Sequence, residues 1–318
     1  MKIAVIGGSG FVGTELITLL RKEHEIVNLD KRPSNEFASI TKIVDVRNPG
    51  QLNEALVGRD LVILLAAEHR DDVSPISLYY DVNVSGMRNA LAAMELNGIK
   101  KIIFTSTVAL YGSEQEISPD ENALVNPFNH YGNSKYEAEK ILQNWLLIDN
   151  ARSALVLRPT VIFGPNNRGN VYNLFRQIFS GRFLMIGSGM NQKSMSYVKN
   201  VVSFIQNRIE KGFHGFQLFN YSDKPDFSMN LLASEIYAFK DKKLPFFRLP
   251  YNIGIFIGYI FDLLAIIFRK KLPISSIRVK KFCASSTINA DKVKESGFVP
   301  PYSLQQAIVH TLEKEFKE

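Results

Sequence analysis

The stretch Lys2-Ile-Ala-Val-Ile-Gly-Gly-Ser-Gly-Phe-Val-Gly13 decides the fold of this chain. Its apolar run predicts a buried strand, and glycines follow it in the pattern G-x-x-G-x-x-G. Gly7 permits a tight turn, Gly10 lets the backbone approach a pyrophosphate, and Gly13 lets the next helix pack closely on the strand. Because a helix N-terminus stabilises negative charge, this strand–turn–helix predicts a dinucleotide-binding site.

An acidic residue ends the second predicted strand. Asp30 lies 20 residues after Gly10, where a carboxylate can accept hydrogen bonds from both ribose hydroxyls and repel a 2′-phosphate. Lys31 and Arg32 follow directly and soften that repulsion. The sequence therefore predicts NAD as the cofactor, with NADP as the less favoured alternative.

Strands and helices alternate through the first 160 residues. The predicted strands are Ile3–Ile6, Glu25–Asp30, Lys42–Val46, Asp60–Ala67, Lys101–Ser106 and Ala154–Leu157, and the predicted helices are Phe11–Lys22, Asp81–Asn97 and Asn129–Leu147. This alternation predicts an α/β fold, a Rossmann-type doubly wound parallel sheet over 1–160. Over 161–318 we expect a smaller C-terminal substrate-binding region, with some elements returning to the sheet.

Composition narrows the function classes. Hydrophobic residues make up 46% and charged residues 22%, which is ordinary for a globular protein. The single cysteine, Cys283, excludes an internal disulfide framework and suits a cytosolic protein, and the histidines form no H-x-x-x-H pair that would indicate zinc. The net charge of +7 agrees with an anionic substrate, and we expect no nucleic-acid partner and no metal.

A tyrosine and a lysine four residues apart lie on the helix predicted over 129–147. The spacing places Tyr131 and Lys135 on one face. An ammonium group and a positive nicotinamide ring would favour tyrosinate and lower the pKa of the tyrosine, which could then take a proton from an alcohol as hydride leaves. A second pair, Tyr136 and Lys140, has the same spacing on another face, where we expect Tyr136 to be a surface or packing residue.

The chain resembles the extended short-chain dehydrogenase/reductase family, in its nucleotide-sugar epimerase/dehydratase branch. The resemblance covers nearly the whole chain and rests on several motifs together. They are the glycine turn, Asp30, Asp45-Val46, Leu65-Ala-Ala67, Asn83 in NVSGMRNAL, Thr105-Ser-Thr-Val-Ala-Leu-Tyr-Gly112, Tyr131 with Lys135, and Leu157-Arg-Pro-Thr-Val-Ile-Phe-Gly-Pro165.

The resemblance implies roles for individual residues. Tyr131 would be the acid/base, Lys135 would bind the nicotinamide ribose, and the Thr107 hydroxyl would bond the sugar oxygen that loses or gains a proton. The implied cofactor-binding set is Gly7, Gly10, Phe11, Val12, Gly13, Asp30, Asp45, Val46, Leu65, Ala66, Ala67, Asn83, Thr105, Tyr131, Lys135 and Pro159. The implied substrate-binding set is Thr107, Asn173, Lys193, where the family usually has arginine, and Arg278.

The triplet Thr107-Val-Ala109 separates the branches of the family. Dehydratases carry Thr-Asp-Glu there, because eliminating water needs a second acid and base, and valine and alanine cannot move a proton. This predicts an NAD-dependent 4-epimerase of UDP-hexoses or UDP-N-acetylhexosamines in surface-polysaccharide synthesis. The alternative is a 4-reductase of a UDP-4-keto-6-deoxy-acetamido sugar, suggested by the segments 68–72 and 193–198. A non-catalytic NAD-binding sensor or scaffold is a third interpretation.

A long apolar stretch lies in the C-terminal region. Ile253–Phe268 contains one charged residue, Asp262, and Arg269-Lys-Lys271 follows it. One interpretation is a helix packed on the substrate-binding region. The other is peripheral contact of 253–271 with the inner face of the membrane, with the basic cluster meeting anionic lipid. The family habit implies a homodimer through two helices per subunit.

The first prediction concerns the preference for NAD. We expect apo protein to bind NAD more tightly than NADP, because the Asp30 carboxylate accepts from ribose hydroxyls and repels a 2′-phosphate. The variant Asp30→Ala should relax that preference. Calorimetric titration of both proteins with both cofactors measures it, and equal affinities in the unaltered protein would contradict it.

Overall fold

A computed structural model describes residues 1–70, 73–112, 118–245, 247–268, 272 and 275–317. The strands, in chain order, are β1 (Lys2–Ile6), β2 (Glu25–Asp30), β3 (Thr41–Ile43), β4 (Leu61–Leu64), β5 (Lys101–Thr105), β6 (Ser153–Pro159), β7 (Val161–Phe163), β8 (Met185–Ile186), β9 (Gln192–Tyr197), β10 (Gly215–Tyr221), β11 (Asp223–Ser228) and β12 (Arg248–Leu249). The α-helices are α1 (Phe11–Leu20), α2 (Pro49–Ala55), α3 (Ser77–Tyr80), α4 (Gly86–Leu96), α5 (His130–Leu146), α6 (Asn170–Phe179), α7 (Val198–Lys211), α8 (Met229–Ala238), α9 (Tyr251–Phe268), α10 (Ser276–Cys283), α11 (Asp291–Glu295) and α12 (Leu304–Glu315). Of the segments singled out in the sequence, Asp71-Asp72 and Arg269-Lys-Lys271 lie outside the described residues.

The chain divides into two compact units. Unit 1 comprises Met1–Ile162, Ser196–Ser222 and Ile288–Pro301, and unit 2 comprises Phe163–Met195, Asp223–Thr287 and Tyr302–Glu318. A strand from the C-terminal half, β10, pairs in parallel with β6 in unit 1. β10 is thus one element from the C-terminal half that returns to the sheet, as the sequence predicts.

Unit 1 is built on a parallel sheet. Within the described ranges this sheet has seven strands in the order β10-β6-β5-β4-β1-β2-β3. The order runs outward in both directions from β1 and β4, so the connections leave the sheet on opposite sides and a crevice forms at the carboxyl ends of these two strands. The predicted Rossmann-type doubly wound fold is confirmed.

Alternate residues of each central strand face opposite layers of helices. In β1, Ala4 and Ile6 belong to the core beneath α2, α4 and α5, whereas Ile3 and Val5 belong to the core beneath α1 and α7. The period of two in a strand sends successive side chains to opposite faces, and helices on both faces explain why the strands are apolar throughout.

Most predicted boundaries agree with the structure within a few residues, with two differences. The helix predicted over 81–97 is divided, because Asp81–Ser85 forms a π-helical turn before α4 begins at Gly86. Within the first 160 residues, two short helices, α2 and α3, lack a sequence-based prediction. α2 has seven residues, begins at Pro49 and is capped by the Asn48 side chain, which accepts from the Gln51 N–H group.

Unit 2 consists of short strand pairs and helices. Strands β9 and β11 pair antiparallel, and β8 pairs in parallel with β12. Helix α8 packs against α6 and α12, and α9 packs against α10. Among the described residues, α9 is the one helix long and apolar enough to cross a membrane by length and composition.

One face of α9 is closely packed, its flanks are half-buried and the opposite face is exposed. Gly254 and Gly258 are its buried residues, because a Cβ at either position would overlap Ile186 or the Ser276 backbone. Asp262, one turn further on, accepts a hydrogen bond of 3.2 Å from the Ser276 N–H group. The interpretation of this stretch as a helix packed on the substrate-binding region agrees with the contact between α9 and α10. The packing is closest along residues 254, 258 and 262, and most of the large apolar side chains of α9 remain exposed.

Candidate active site

The glycine turn has the geometry that a pyrophosphate needs. Gly7 has φ +89°, and a Cβ there would lie 2.5 Å from the Ala66 nitrogen, so only glycine fits between the loops that follow β1 and β4. Gly10 is the N-cap residue of α1 and has no side chain to occupy the helix end. The N–H groups of Phe11 and Val12 begin α1, where helix geometry leaves donors without intrahelical partners. A Cβ on Gly13 would overlap Gly8, so the close packing that Gly13 permits is with the glycine turn itself.

Asp30 lies beside this turn at the carboxyl end of β2. Its carboxylate accepts hydrogen bonds from the backbone N–H groups of Ser9, at 3.0 Å, and Arg32, at 2.9 Å. These bonds hold the buried side chain against the glycine turn. A carboxylate has about four acceptor positions, so capacity remains for two ribose hydroxyls.

The loop after β4 forms the other wall of the crevice. The N–H groups of Leu65 and Ala66 both donate to the Ile6 carbonyl, at 2.8 and 2.9 Å, which brings this loop alongside the end of β1. Asn83 is buried, and its side-chain amide donates to the Glu68 carbonyl and the Ser134 hydroxyl and accepts from the Glu68 N–H group. In this structure, Asn83 thus joins the loop after β4 to helix α5.

Two buried hydroxyl groups lie at the carboxyl end of β5. Among the described residues, neither Thr105 Oγ1 nor Ser106 Oγ has a hydrogen-bond partner. A buried hydroxyl without a partner costs about 1–3 kcal/mol, so such groups are usually matched by a ligand or water. Together with the donors of the glycine turn and the Asp30 carboxylate, these hydroxyls fit a bound dinucleotide.

Asp45 and Val46 follow the end of β3 and make different contacts. The Asp45 carboxylate receives a bidentate ion pair from Arg47, with the shortest N–O distance 2.6 Å, and this hydrogen bonding lowers the pKa of Asp45. Val46 is buried and meets Gly86 at the start of α4. Pro159 is buried and ends β6, so this member of the predicted cofactor set also lies at the carboxyl end of a sheet strand.

Thr107 and Tyr131 are brought together by the start of α5. Asn129 caps this helix by accepting from the Gly132 N–H group at 2.8 Å, and a Cβ on Gly132 would lie 2.9 Å from the Ala109 carbonyl oxygen. The missing side chain lets α5 begin directly against the turn that follows Thr107. The Thr107 hydroxyl accepts from the Ala109 N–H group at 3.1 Å and lies close enough to the Tyr131 hydroxyl to act on the pKa of this tyrosine. It therefore caps its own turn and contacts the tyrosine as well.

Burial controls the electrostatics of Tyr131 and Lys135. It raises the pKa of Tyr131 to about 12, with the Thr107 hydrogen bond acting in the opposite direction. Burial also lowers the pKa of Lys135 to about 7, partly offset by Glu139. The expected lowering of the tyrosine pKa included the positive nicotinamide ring of bound NAD. The protein groups alone do not produce it, because a desolvated lysine with a pKa of about 7 supplies only a partial positive charge at neutral pH.

A buried ion pair behind Lys135 was missed by the sequence analysis. Glu139 is 1% exposed and forms a bidentate pair with Arg158, at 2.9 and 2.5 Å. Arg158 also donates to the Tyr111 hydroxyl, which donates to Asn220. The available signal was an arginine inside the otherwise apolar strand β6. Tyr136, in contrast, packs against the cluster of Leu110 and Tyr111, as a packing residue should.

Three of the four residues implied in substrate binding lie on separate elements of unit 2, whereas Thr107 lies in unit 1. The Lys193 ammonium, on β9, donates to the carbonyl groups of Lys281 and Ala284 at 2.9 and 2.5 Å, so it is held at the end of α10. Arg278 is exposed on α10. Asn173 is exposed on α6, where its Oδ1 accepts from Arg176 at 3.3 Å.

This chain belongs to the NAD dependent epimerase/dehydratase family, whose model matches residues 3–219. The predicted resemblance, the NAD cofactor and the assignment as an enzyme are thereby confirmed. In this family, NAD would be held by the glycine turn, Asp30 and the ends of β4 and β5, which the geometry above fits.

Similar curated proteins cover almost the whole chain. One, from Escherichia coli O157:H7, is N-acetyl-alpha-D-glucosaminyl-diphospho-ditrans,octacis-undecaprenol 4-epimerase, 53% identical over 315 residues, covering 99% of this chain and 95% of that protein. The UDP-glucose 4-epimerase of Vibrio cholerae is 28% identical over 320 residues, covering 97% of this chain and 94% of that protein.

Solved structures share the fold at lower identity. The UDP-N-acetylglucosamine 4-epimerase from Bacillus cereus superposes with a TM-score of 0.76 at 22% identity, covering 99% of both chains. The UDP-glucuronic acid 4-epimerase from Bacillus cereus, in complex with NAD, gives 0.78 at 18% identity over 100% of both chains.

The second prediction distinguishes the two tyrosines of α5. Tyr131→Phe should lower turnover by about two to four orders of magnitude, the usual worth of a positioned acid/base, while NAD still binds. Tyr136→Phe is the matched control on the same helix and should change turnover little, because its ring only packs. Steady-state kinetics and NAD titration measure both variants, and an exchange of the two effects would show that the wrong tyrosine was chosen.

Proposed function

We propose that this protein is a 4-epimerase of an N-acetylhexosamine that is joined through a diphosphate to a polyprenol carrier. The reaction would interconvert the gluco and galacto configurations at C4. The close approach of Thr107 and Tyr131, beside the buried Lys135, is the observation that carries the reaction type. We assign the cofactor to the domain of residues 1–160 and the substrate mainly to the region of 161–318.

The catalytic residues would move one proton. Tyr131 would take the proton of the C4 hydroxyl as the carbon is oxidised and return it when the carbon is reduced on the other face. Thr107 would hold the same oxygen, and Lys135 would stabilise the tyrosinate while binding the ribose. Bound NAD supplies the chemistry of accepting hydride from C4 and giving it back. Because the hydride returns to the sugar, the reaction needs no external reductant.

The turn after Thr107 favours epimerisation over dehydration. Val108–Tyr111 forms a short 3₁₀ helix, and its side chains are two aliphatic groups, an alanine and a tyrosine whose hydroxyl is engaged by Arg158 and Asn220. Elimination of water needs a second acid and base near the sugar, which valine and alanine do not supply. The 4-epimerase relatives also favour this assignment over the 4-keto reductase.

Two observations favour a lipid-linked substrate over a UDP-sugar. The relative at 53% identity is named for a diphospho-undecaprenol substrate, whereas the UDP-glucose 4-epimerase relative is 28% identical. In addition, α9 exposes a broad apolar face, as a protein working on a membrane lipid requires. A UDP-N-acetylhexosamine is the second candidate, supported by the fold that this chain shares with UDP-sugar 4-epimerases.

We infer that α9 lies on the inner face of the cytoplasmic membrane. Its packed stripe, Gly254, Gly258 and Asp262, faces α10, and the opposite side carries exposed Phe256, Leu263 and other large apolar residues. Eighteen residues span about 27 Å, but α10, with three basic residues, packs along this helix, which does not suit a membrane-spanning segment. A helix lying in the interface buries its apolar face and places basic neighbours at anionic headgroups.

A homodimer is part of the same proposal. Helices α4 and α5 pack beside each other on one face of the sheet, and exposed apolar residues, Leu96 and Leu147, lie at their C-terminal ends. These features suit a two-helix contact between subunits. Sedimentation at several protein concentrations tests whether this dimer forms.

The third prediction tests the reaction and the carrier together. Polyprenyl-diphospho-N-acetylglucosamine labelled with deuterium at C4 should be converted to its C4 epimer with the label retained and without added NADH. Retention follows because the deuteride stays on the bound cofactor between the two half-reactions. Mass spectrometry of the released sugar measures both label and configuration, with UDP-N-acetylglucosamine as the parallel substrate.

Three outcomes would contradict parts of this proposal. Loss of the label to solvent would exclude transient oxidation at C4. Oxidation of NADH on a 4-keto sugar, without interconversion of any labelled substrate, would favour the reductase. Faster turnover of the UDP-sugar than of the lipid-linked sugar would favour the nucleotide carrier.

The fourth prediction concerns α9. The protein should float with vesicles of phosphatidylethanolamine and phosphatidylglycerol, and Phe256→Glu/Leu263→Glu should lower the partition coefficient at least about 100-fold, since each buried large apolar side chain contributes about 1.5–3 kcal/mol. The control Val299→Glu alters another exposed apolar residue, in unit 1. Equal flotation of both variants would exclude α9 as the membrane contact.

A further inference from the structure

A cavity of about 480 Å³ lies within unit 2 at the beginning of α9. It is lined by residues of β8 and the loop after it, of α9 and of α10: Ile186, Gly187, Ser188, Asn191, Tyr251, Lys280, Cys283 and Ala284. Its volume lies in the range of about 300–1,000 Å³ that small-molecule sites occupy. Ser188, Tyr251, Lys280 and Ala284 are exposed, so the cavity opens to the surface.

The lining combines apolar surface, the polar side chains Ser188 and Asn191, and positive charge. Lys280 is the charged residue among the described residues that line the cavity, and none of them is acidic. Burial raises the pKa of the Cys283 thiol, and a second ammonium, on Lys193, lies close enough to act in the opposite direction. The Lys193 ammonium also donates to the carbonyl of the lining residue Ala284. Ile186, Tyr251 and Ala284 supply apolar surface. The chemistry that matches these walls is an apolar chain that ends in an anionic group.

The cavity is continuous with the exposed apolar face of α9. Tyr251 is both the first residue of this helix and part of the cavity wall. Lys280 lies over the ring of Tyr259, two turns further along the same helix, with Nζ 5.7 Å from the ring centroid. A lipid that leaves a membrane in contact with α9 would therefore meet the cavity, with its basic residue, at the N-terminal end of the helix.

Resting on the proposed function, we propose that this cavity binds the isoprenoid diphosphate portion of the lipid-linked substrate. Lys280 would contact the phosphate, and Ile186, Tyr251 and Ala284 would contact the first isoprene units. The cavity would thereby select a polyprenyl carrier over a nucleotide, because an isoprene chain gains from contact with Ile186, Tyr251 and Ala284. The polar lining side chains Ser188 and Asn191 already hydrogen-bond the Met190 N–H group and the Phe282 carbonyl.

The single cysteine of the chain reports directly on the occupancy of this cavity. Cys283 is a free thiol in the lining, and iodoacetamide should alkylate it at a measurable rate. Farnesyl diphosphate is the probe for the isoprenoid diphosphate, and farnesol, inorganic pyrophosphate and UDP are the comparison ligands. At ten times its Kd, farnesyl diphosphate should slow alkylation about tenfold, and UDP at the same concentration should leave the rate unchanged.

Two adjacent lysines of α10 provide a matched pair of variants. Lys280→Glu should weaken protection by farnesyl diphosphate about tenfold or more, because it replaces the cationic partner of the phosphate by an anion. Lys281→Glu makes the same charge change one residue away, outside the lining, and should keep the protection. Circular dichroism of both variants checks that the fold is retained.

The outcomes distinguish this inference from the proposed function, because alkylation needs no turnover. Protection by UDP equal to that by farnesyl diphosphate would assign the cavity to a nucleotide and overturn the inference. Absence of protection by farnesyl diphosphate, while the labelled lipid-linked sugar is still epimerised, would overturn the inference alone. Protection without epimerisation of any labelled sugar would support the cavity assignment and overturn the proposed reaction.

Discussion

The close approach of two loops at the carboxyl ends of β1 and β4 is the constraint on which the rest of unit 1 depends. The Ile6 carbonyl accepts from both Leu65 and Ala66, and Gly7 leaves no room for a side chain between the loops. Because the strand order reverses here, the helices that follow β1 and β4 lie on opposite faces and the crevice stays open. The donors of α1, the Asp30 carboxylate and the hydroxyls after β5 are all placed by this arrangement.

Burial of the catalytic side chains has an electrostatic cost. Desolvation holds Tyr131 in its neutral form and leaves Lys135 only partly charged at neutral pH, and Glu139, which would favour charged Lys135, is itself engaged by Arg158. A buried pair of this kind contributes little net stability, but removing one partner leaves an uncompensated charge that costs about 3–5 kcal/mol. The pair therefore constrains α5 relative to β6 and so holds the face of α5 that carries Lys135. A tyrosine with a raised pKa also needs positive charge from its bound cofactor before it can act as a base.

Unit 2 has a different physical character. Its longest helix, α9, buries two glycines and exposes most of its large side chains, although exposed apolar surface on this scale is unfavourable in water. The glycines and Asp262 let α9 lie flat on α10 with no bulky side chain between them. The result is an apolar surface with a basic helix packed on its opposite side, a combination that suits a lipid interface.

The sequence by itself determined the nucleotide-binding half. The glycine spacing, Asp30 and the apolar strands are local signals, since a turn, a strand end and a buried run each depend on neighbouring residues. The pairing of Tyr131 with Lys135 was also readable, because four residues separate them on one helix. Tertiary structure alone decided what lies beside them: the contact of Tyr131 with Thr107, the pairing of Glu139 with Arg158 and the pKa shifts all require elements distant in the chain to pack together. The exposure of α9 could not be predicted from the sequence either, because an apolar helix has the same sequence pattern whether it faces a core or a membrane. Only the packing of α9 against α10 shows which of its faces remains exposed.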